Sequence, residues 1–193
     1  MFARVLSTTI AVGVIFAFAG APAQAQGNIE PKVQMCAVCH GANGTPLDPK
    51  TMPNIWGQQQ YYLFKQLVNY SNGMREHPVM TPIAKGLQQA DLRPIAAYFA
   101  AKPWPAQPPA AAPAATAAPP NGIAMCVPCH QQKFEGGVSW PRIAGLNYDY
   151  LVAAMRAFAN EQRTNNEDMV KIMKMFSDSE RDAMARYLAG LQG

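Results

Sequence analysis

Cys36-Ala37-Val38-Cys39-His40 and Cys126-Val127-Pro128-Cys129-His130 decide how this chain folds. The two stretches hold all four cysteines and two of the three histidines among 193 residues. Two thiols three residues apart, followed at once by an imidazole, form the attachment pattern for c-type haem. Each thiol can form a thioether to a vinyl group, and the adjacent imidazole is then held where it can bind iron. Cys36, Cys39, Cys126 and Cys129 are therefore expected to carry two covalently bound haem c groups, with His40 and His130 as iron ligands. Zinc would ask for four ligands from each cluster or a merged site, which this pattern alone does not show. A thioredoxin-like disulfide would ask for strands alternating with helices, and the sequence has no convincing alternating strand.

The two motifs lie ninety positions apart, and other landmarks follow in the same order. Pro53-Asn54-Ile55-Trp56-Gly57 answers Pro141-Arg142-Ile143-Ala144-Gly145. Tyr62-Leu63 answers Tyr150-Leu151, Met80 answers Met169, and Ile95 to Ala100 answers Met184 to Ala189. The offset drifts only between 88 and 90, so the chain is read as a duplication. The expected fold is all-α, with domains at residues 27–102 and 122–193. Pro103-Trp104-Pro105 and the Pro/Ala-rich tract to Pro120 place an extended, semi-rigid linker at residues 103–121. A packed strap is the alternative at Trp104.

Helical periodicity places Leu63, Leu67, Val68 and Tyr70 near one face of a helix from about Gln59 to Ser71. Leu151, Met155 and Phe158 repeat that pattern, and Ser177 with Glu180 forms a capping-box signature before the last helix. Asp91 is expected to start the counterpart of that helix, with Pro94 tolerated in a first turn whose amides lack intrahelical partners. A short helix is expected to run into each Cys-x-x-Cys-His. Domains of this size are marginal on their own side chains, so the cofactor is expected to form part of each core.

A second axial ligand is sought in each repeat. Met80 lies forty residues after His40, and Met169 thirty-nine after His130. A thioether opposite an imidazole raises the reduction potential. Met74, Met173 and Met175 are the nearest rivals, and His77 is another, although the second repeat has Asn165 near that place.

Residues 1–25 read as a secretory signal peptide: Arg4 precedes an apolar run from Val5 to Ala19, and Ala23-Gln24-Ala25 is a cleavage signature. A periplasmic location follows. The apolar run is short for a membrane span, and the mature chain is expected to have no transmembrane segment, with peripheral association as its only membrane contact. Residues 27–102 carry seven basic and four acidic residues, whereas 121–193 carry eight of each. No Lys/Arg run with interleaved aromatics is present, which argues against nucleic acid as a partner. No hydrolytic constellation or phosphate-binding glycine loop is legible, and the chain is expected to carry electrons rather than act as an enzyme.

The run Cys39-His40-Gly41 to Gly44, then Pro53, Gly57-Gln58, Tyr62-Leu63, Gln66-Leu67, Met80 and Ala96-Ala97-Tyr98, resembles class I cytochrome c. Its duplication resembles the di-haem cytochrome c4 family. That resemblance implies two tandem cytochrome c domains facing each other, each with His/Met iron. It also implies that a proline carbonyl receives the other ring nitrogen of each imidazole: Pro141 for His130, and Pro53 for His40, with Pro46 and Pro49 as its competitors. The implied partners are a quinol-oxidising complex as donor and a terminal oxidase as acceptor. A haem subunit of a periplasmic dehydrogenase is the alternative, and a di-haem peroxidase a third reading that the repeated methionine argues against.

Overall fold

The computed structural model describes residues 28–105 and 118–191. The expected signal peptide and the central stretch of the expected linker, 106–117, lie outside the described residues. The helices are α1 (Glu30–His40), α2 (Gln60–Ser71), α3 (Met80–Lys85), α4 (Gln89–Ala100), α5 (Val127–His130), α6 (Tyr148–Ala159), α7 (Glu167–Lys174) and α8 (Asp178–Gly190). Among the described residues there is no strand, and no helix is long and apolar enough to cross a membrane.

Each half repeats one packing scheme. Helix α2 packs on α3 and α4, and α6 packs on α7 and α8. The apolar stripes explain the pairing: Leu92, Ile95 and Phe99 of α4 close on Val33 of α1, while Met184, Ala185 and Leu188 of α8 close on Leu151, Met155 and Phe158 of α6. Leu92 and Leu188 are fully buried, and each such side chain contributes about 2 kcal/mol by leaving water. The duplication extends to single hydrogen bonds. The amide of Gly57 donates to the carbonyl of Phe99 at 2.9 Å, and that of Gly145 donates to Leu188 at 2.9 Å. The capping box of α8 is present, with Ser177 and Glu180 each serving the other's backbone amide.

Three details differ from expectation. Helix α4 begins at Gln89, so Asp91 is its third residue rather than its start, and Pro94 lies beyond the first turn. Asp91 is buried and its carboxylate pairs with Lys32 of α1, which fixes it by a tertiary contact that capping statistics do not include. Secondly, the approach to the second motif is a 3-10 turn, Ile123–Cys126, where the first half has continuous α-helix. Pro128 has no amide to offer Ala124, and the tighter ladder accommodates that loss. Thirdly, Trp104 of the expected linker is a strap. It packs on the core of the second half, and the guanidinium carbon of Arg142 lies 4.8 Å from its ring centroid.

One position in the second half is strained. Gly41 follows the first motif at φ 86°, a conformation that suits glycine. Its repeat equivalent is Gln131, at φ 68° and ψ 170°, a region almost confined to glycine. Gln131 is exposed and its side chain makes no hydrogen bond among the described residues. Replacing it by glycine is expected to stabilise the second half by about 1 kcal/mol, read as a rise in thermal midpoint with unchanged optical spectra. A fall in midpoint would show that the strain is not there.

Candidate haem cleft

The imidazoles come first. His40 ends α1 and His130 ends α5, and both are buried. The Nδ1 of His40 donates to the carbonyl of Pro53 at 2.8 Å, and the Nδ1 of His130 donates to that of Pro141 at 2.8 Å. The loops that deliver these carbonyls differ by two residues, thirteen against eleven, yet converge on one geometry. Burial holds both imidazoles below the ordinary histidine range, against the opposing effect of the proline carbonyl. Each is therefore neutral at neutral pH, with its Nδ1 proton committed and its Nε2 lone pair free to coordinate a metal.

Both imidazoles line one continuous cleft of about 510 Å³. Its wall also contains Cys36, Cys39, Cys126 and Cys129, and it includes Met80 and Met169. The four thiols are not joined in disulfides, and burial raises those of Cys36 and Cys126, the latter to about 11. Among the described residues no three His, Cys, Asp or Glu side chains gather as a zinc site would require. Of the rival methionines, Met74 and Met175 are mostly exposed, while Met173 is buried one helical turn from Met169 and also reaches the cleft.

No family model matches the chain. It is 33% identical over 179 residues to the thiosulfate dehydrogenase electron acceptor of Stutzerimonas stutzeri, covering 86% of this chain and 83% of that protein. It is 30% identical to cytochrome c4 of Thiocapsa roseopersicina, covering 81% of this chain and 87% of the relative. The chain belongs to the di-haem cytochrome c4 family. The solved structure of cytochrome c4 from Acidithiobacillus ferrooxidans superposes with a TM-score of 0.68 at 27% identity, over 82% of this chain and 99% of that one. The protein is thus an electron-transfer cytochrome with two haem c groups.

The cleft of the cytochrome suits those groups in charge as well as shape. Arg163 and Arg75 stand in its wall, and the side chains they bond to are neutral. Arg163 donates to Tyr62 at 3.3 Å, Gln66 at 3.1 Å and Asn165 at 3.0 Å, and Arg75 donates to Gln66 at 2.8 Å. Burial tends to raise the Tyr62 phenol, but the Arg163 and Arg75 charges outweigh it and hold the group below its ordinary value. Burial would weaken the Arg75 charge, yet Tyr150 and Tyr62 facing it hold it above its usual range. Two guanidiniums that have no carboxylate partner among the described residues match the negative propionates that a haem brings. The buried Nε of Arg142, another wall residue, likewise has no hydrogen-bond partner among the described residues.

Arg75 and Arg163 were not singled out by motif, although the sequence contains their signal. They are repeat equivalents 88 positions apart, as are Tyr62 and Tyr150. The arginine amides even donate to equivalent carbonyls, those of Asn69 and Ala157.

The cytochrome also corrects the comparison of His77 with Asn165. Asn165 belongs to the arginine cluster, where it donates to Gln66. The counterpart of His77 is Asn166, three residues before Met169. His77 accepts at Nδ1 from the amides of Val79 and Met80, both at 3.2 Å, and Asn166 accepts from the amide of Met169 at 2.9 Å. Each methionine thus starts or nearly starts a helix whose free amides a side chain satisfies. A histidine in a capping role escapes sequence reading because Ser, Thr, Asp and Asn dominate such positions.

Proposed function

We propose that the protein carries single electrons between periplasmic redox partners, with His40 and Met80 holding one iron and His130 and Met169 the other. The observation supporting this reading is that a buried imidazole tied to a proline carbonyl and a methionine line the same cleft in both repeats. Each bound haem supplies a one-electron couple between ferrous and ferric iron. Cys36, Cys39, Cys126 and Cys129 hold the groups covalently. The carbonyls of Pro53 and Pro141 fix the two rings and increase their basicity. The methionine sulfurs oppose that effect by favouring the ferrous state. With His40 and Met80 holding one iron and His130 and Met169 the other, neither metal would have a position left for a substrate, and the chain would act as a carrier rather than an enzyme. Residues 1–25 direct export and are removed. Residues 27–102 and 122–193 each house one group, joined through 103–121.

In one reading the electrons come from a quinol-oxidising complex and pass to a terminal oxidase. Similarity to a thiosulfate dehydrogenase electron acceptor favours a second reading, in which the donor is a thiosulfate-oxidising enzyme. Oxidation of thiosulfate by such an enzyme would release electrons, and the two haems would offer one one-electron acceptor each. The basic excess of the first half offers a docking face for an acidic partner. Rapid mixing of the oxidised protein with thiosulfate dehydrogenase and thiosulfate, or with a pre-reduced quinol-oxidising complex, separates the readings. Fast haem reduction by the dehydrogenase alone is expected under the second. Reduction by neither, together with peroxide turnover, would sink the carrier reading.

A further inference from the structure

Gln58 belongs to the first half but reaches the backbone of the second. It is 4% exposed. Its Nε2 donates to the carbonyl of Arg142 at 2.9 Å, and its Oε1 accepts from the amide of Arg142 at 2.7 Å. That amide is the N–H side of the Pro141–Arg142 peptide. The carbonyl of the same peptide receives the Nδ1 proton of His130 at 2.8 Å. A peptide is one conjugated unit. A hydrogen bond accepted from its N–H shifts electron density onto its oxygen, and bonds in such a chain strengthen one another. A continuous path therefore runs from Gln58 through one peptide to the imidazole. The duplication breaks here: the repeat equivalent of Gln58 is Leu146, which has no amide to return the contact to the Pro53 peptide.

We propose that Gln58 is a positioning residue through which the first half sets the orientation and basicity of His130, and so lowers the potential of the second iron. A more basic imidazole stabilises the ferric state. The inference rests on the reading of His130 as an iron ligand.

The test uses the full two-haem chain with Gln58→Leu, the residue of the other repeat, and Gln58→Glu, which retains an acceptor for the Arg142 amide. Histidine labelled with ¹⁵N reports the Nδ1 proton of His130 in the ferrous protein, and a redox titration reports both midpoints. In Gln58→Leu, exchange of that proton is expected to quicken roughly fivefold, and the second midpoint to rise while the first stays. In Gln58→Glu, exchange is expected to stay at or below the original rate. Unchanged exchange with unchanged midpoints in Gln58→Leu, or an equal shift of both midpoints, would overturn the proposal. Should Gln58→Leu not fold, Gln58→Glu decides: a second midpoint below that of the parent protein supports the proposal, and an unchanged one overturns it. Failure of the underlying reading would show in the parent protein, as a ferric spectrum in which His130 carries no paramagnetic shift.

Discussion

A chain with serine at both Cys126 and Cys129 is expected to lose the cooperative unfolding transition of its second half. The cleft measures about 510 Å³ and penetrates both cores. Without its haem the apolar wall of one half faces water, and each large apolar side chain left so costs about 2 kcal/mol. Three such side chains amount to about 6 kcal/mol, which rivals the entire stability of a small domain. Collapse recovers part of it, but Leu151, Met155 and Phe158 border the cleft and cannot close over it without leaving the α6–α8 contact. The expected product keeps one covalent haem by mass, and its calorimetric melt shows the first transition alone. Two full transitions in a protein with only one attached haem would refute the view that the cofactor is part of the core.

Substituting Met80 or Met169 by alanine is expected to remove half of the near-infrared sulfur-to-iron band each, and the double substitution all of it. Each single change should also drop one reduction midpoint and leave the other in place, because a lost thioether no longer favours ferrous iron. Met173 supplies the control. It is 2% exposed in the second core, so Met173→Ala should destabilise that half by about 3 kcal/mol while preserving the band. If Met173→Ala removes the band and Met169→Ala does not, the sulfur ligand of the second iron passes to Met173, one turn along α7.

The helical class and the duplication were legible because they rest on periodicity and on landmarks with fixed chemistry. Cys-x-x-Cys-His brings its own helix end, and the capping box at Ser177 is a local bargain between four residues. What escaped depends on contacts distant in sequence. Asp91 looks like a helix start until Lys32 is placed beside it, 59 residues away. A short helix was expected to run into the second motif, but Pro128 leaves a 3-10 turn there instead. Gln66, Arg163 and Asn165 look like ordinary surface residues of two separate helical repeats, and only the approach of the halves buries them together. Gln58 was visible in the Gly57-Gln58 pair that helps carry the family resemblance, but its bond to a backbone 84 residues away carries no local signature.

The arginines and tyrosines of the cleft are exchanged between the halves: Arg163 bonds to Tyr62, and Arg75 faces Tyr150. Cutting the gene at the linker and producing either module by itself would therefore yield a protein with half of its anchoring set missing. A lone first module would leave Tyr62 with Arg75 alone of its two cations, and its cofactor rim open to water. Potentials measured on such fragments would describe a wetter, differently charged iron, and summing them would misstate how the paired molecule divides its electrons.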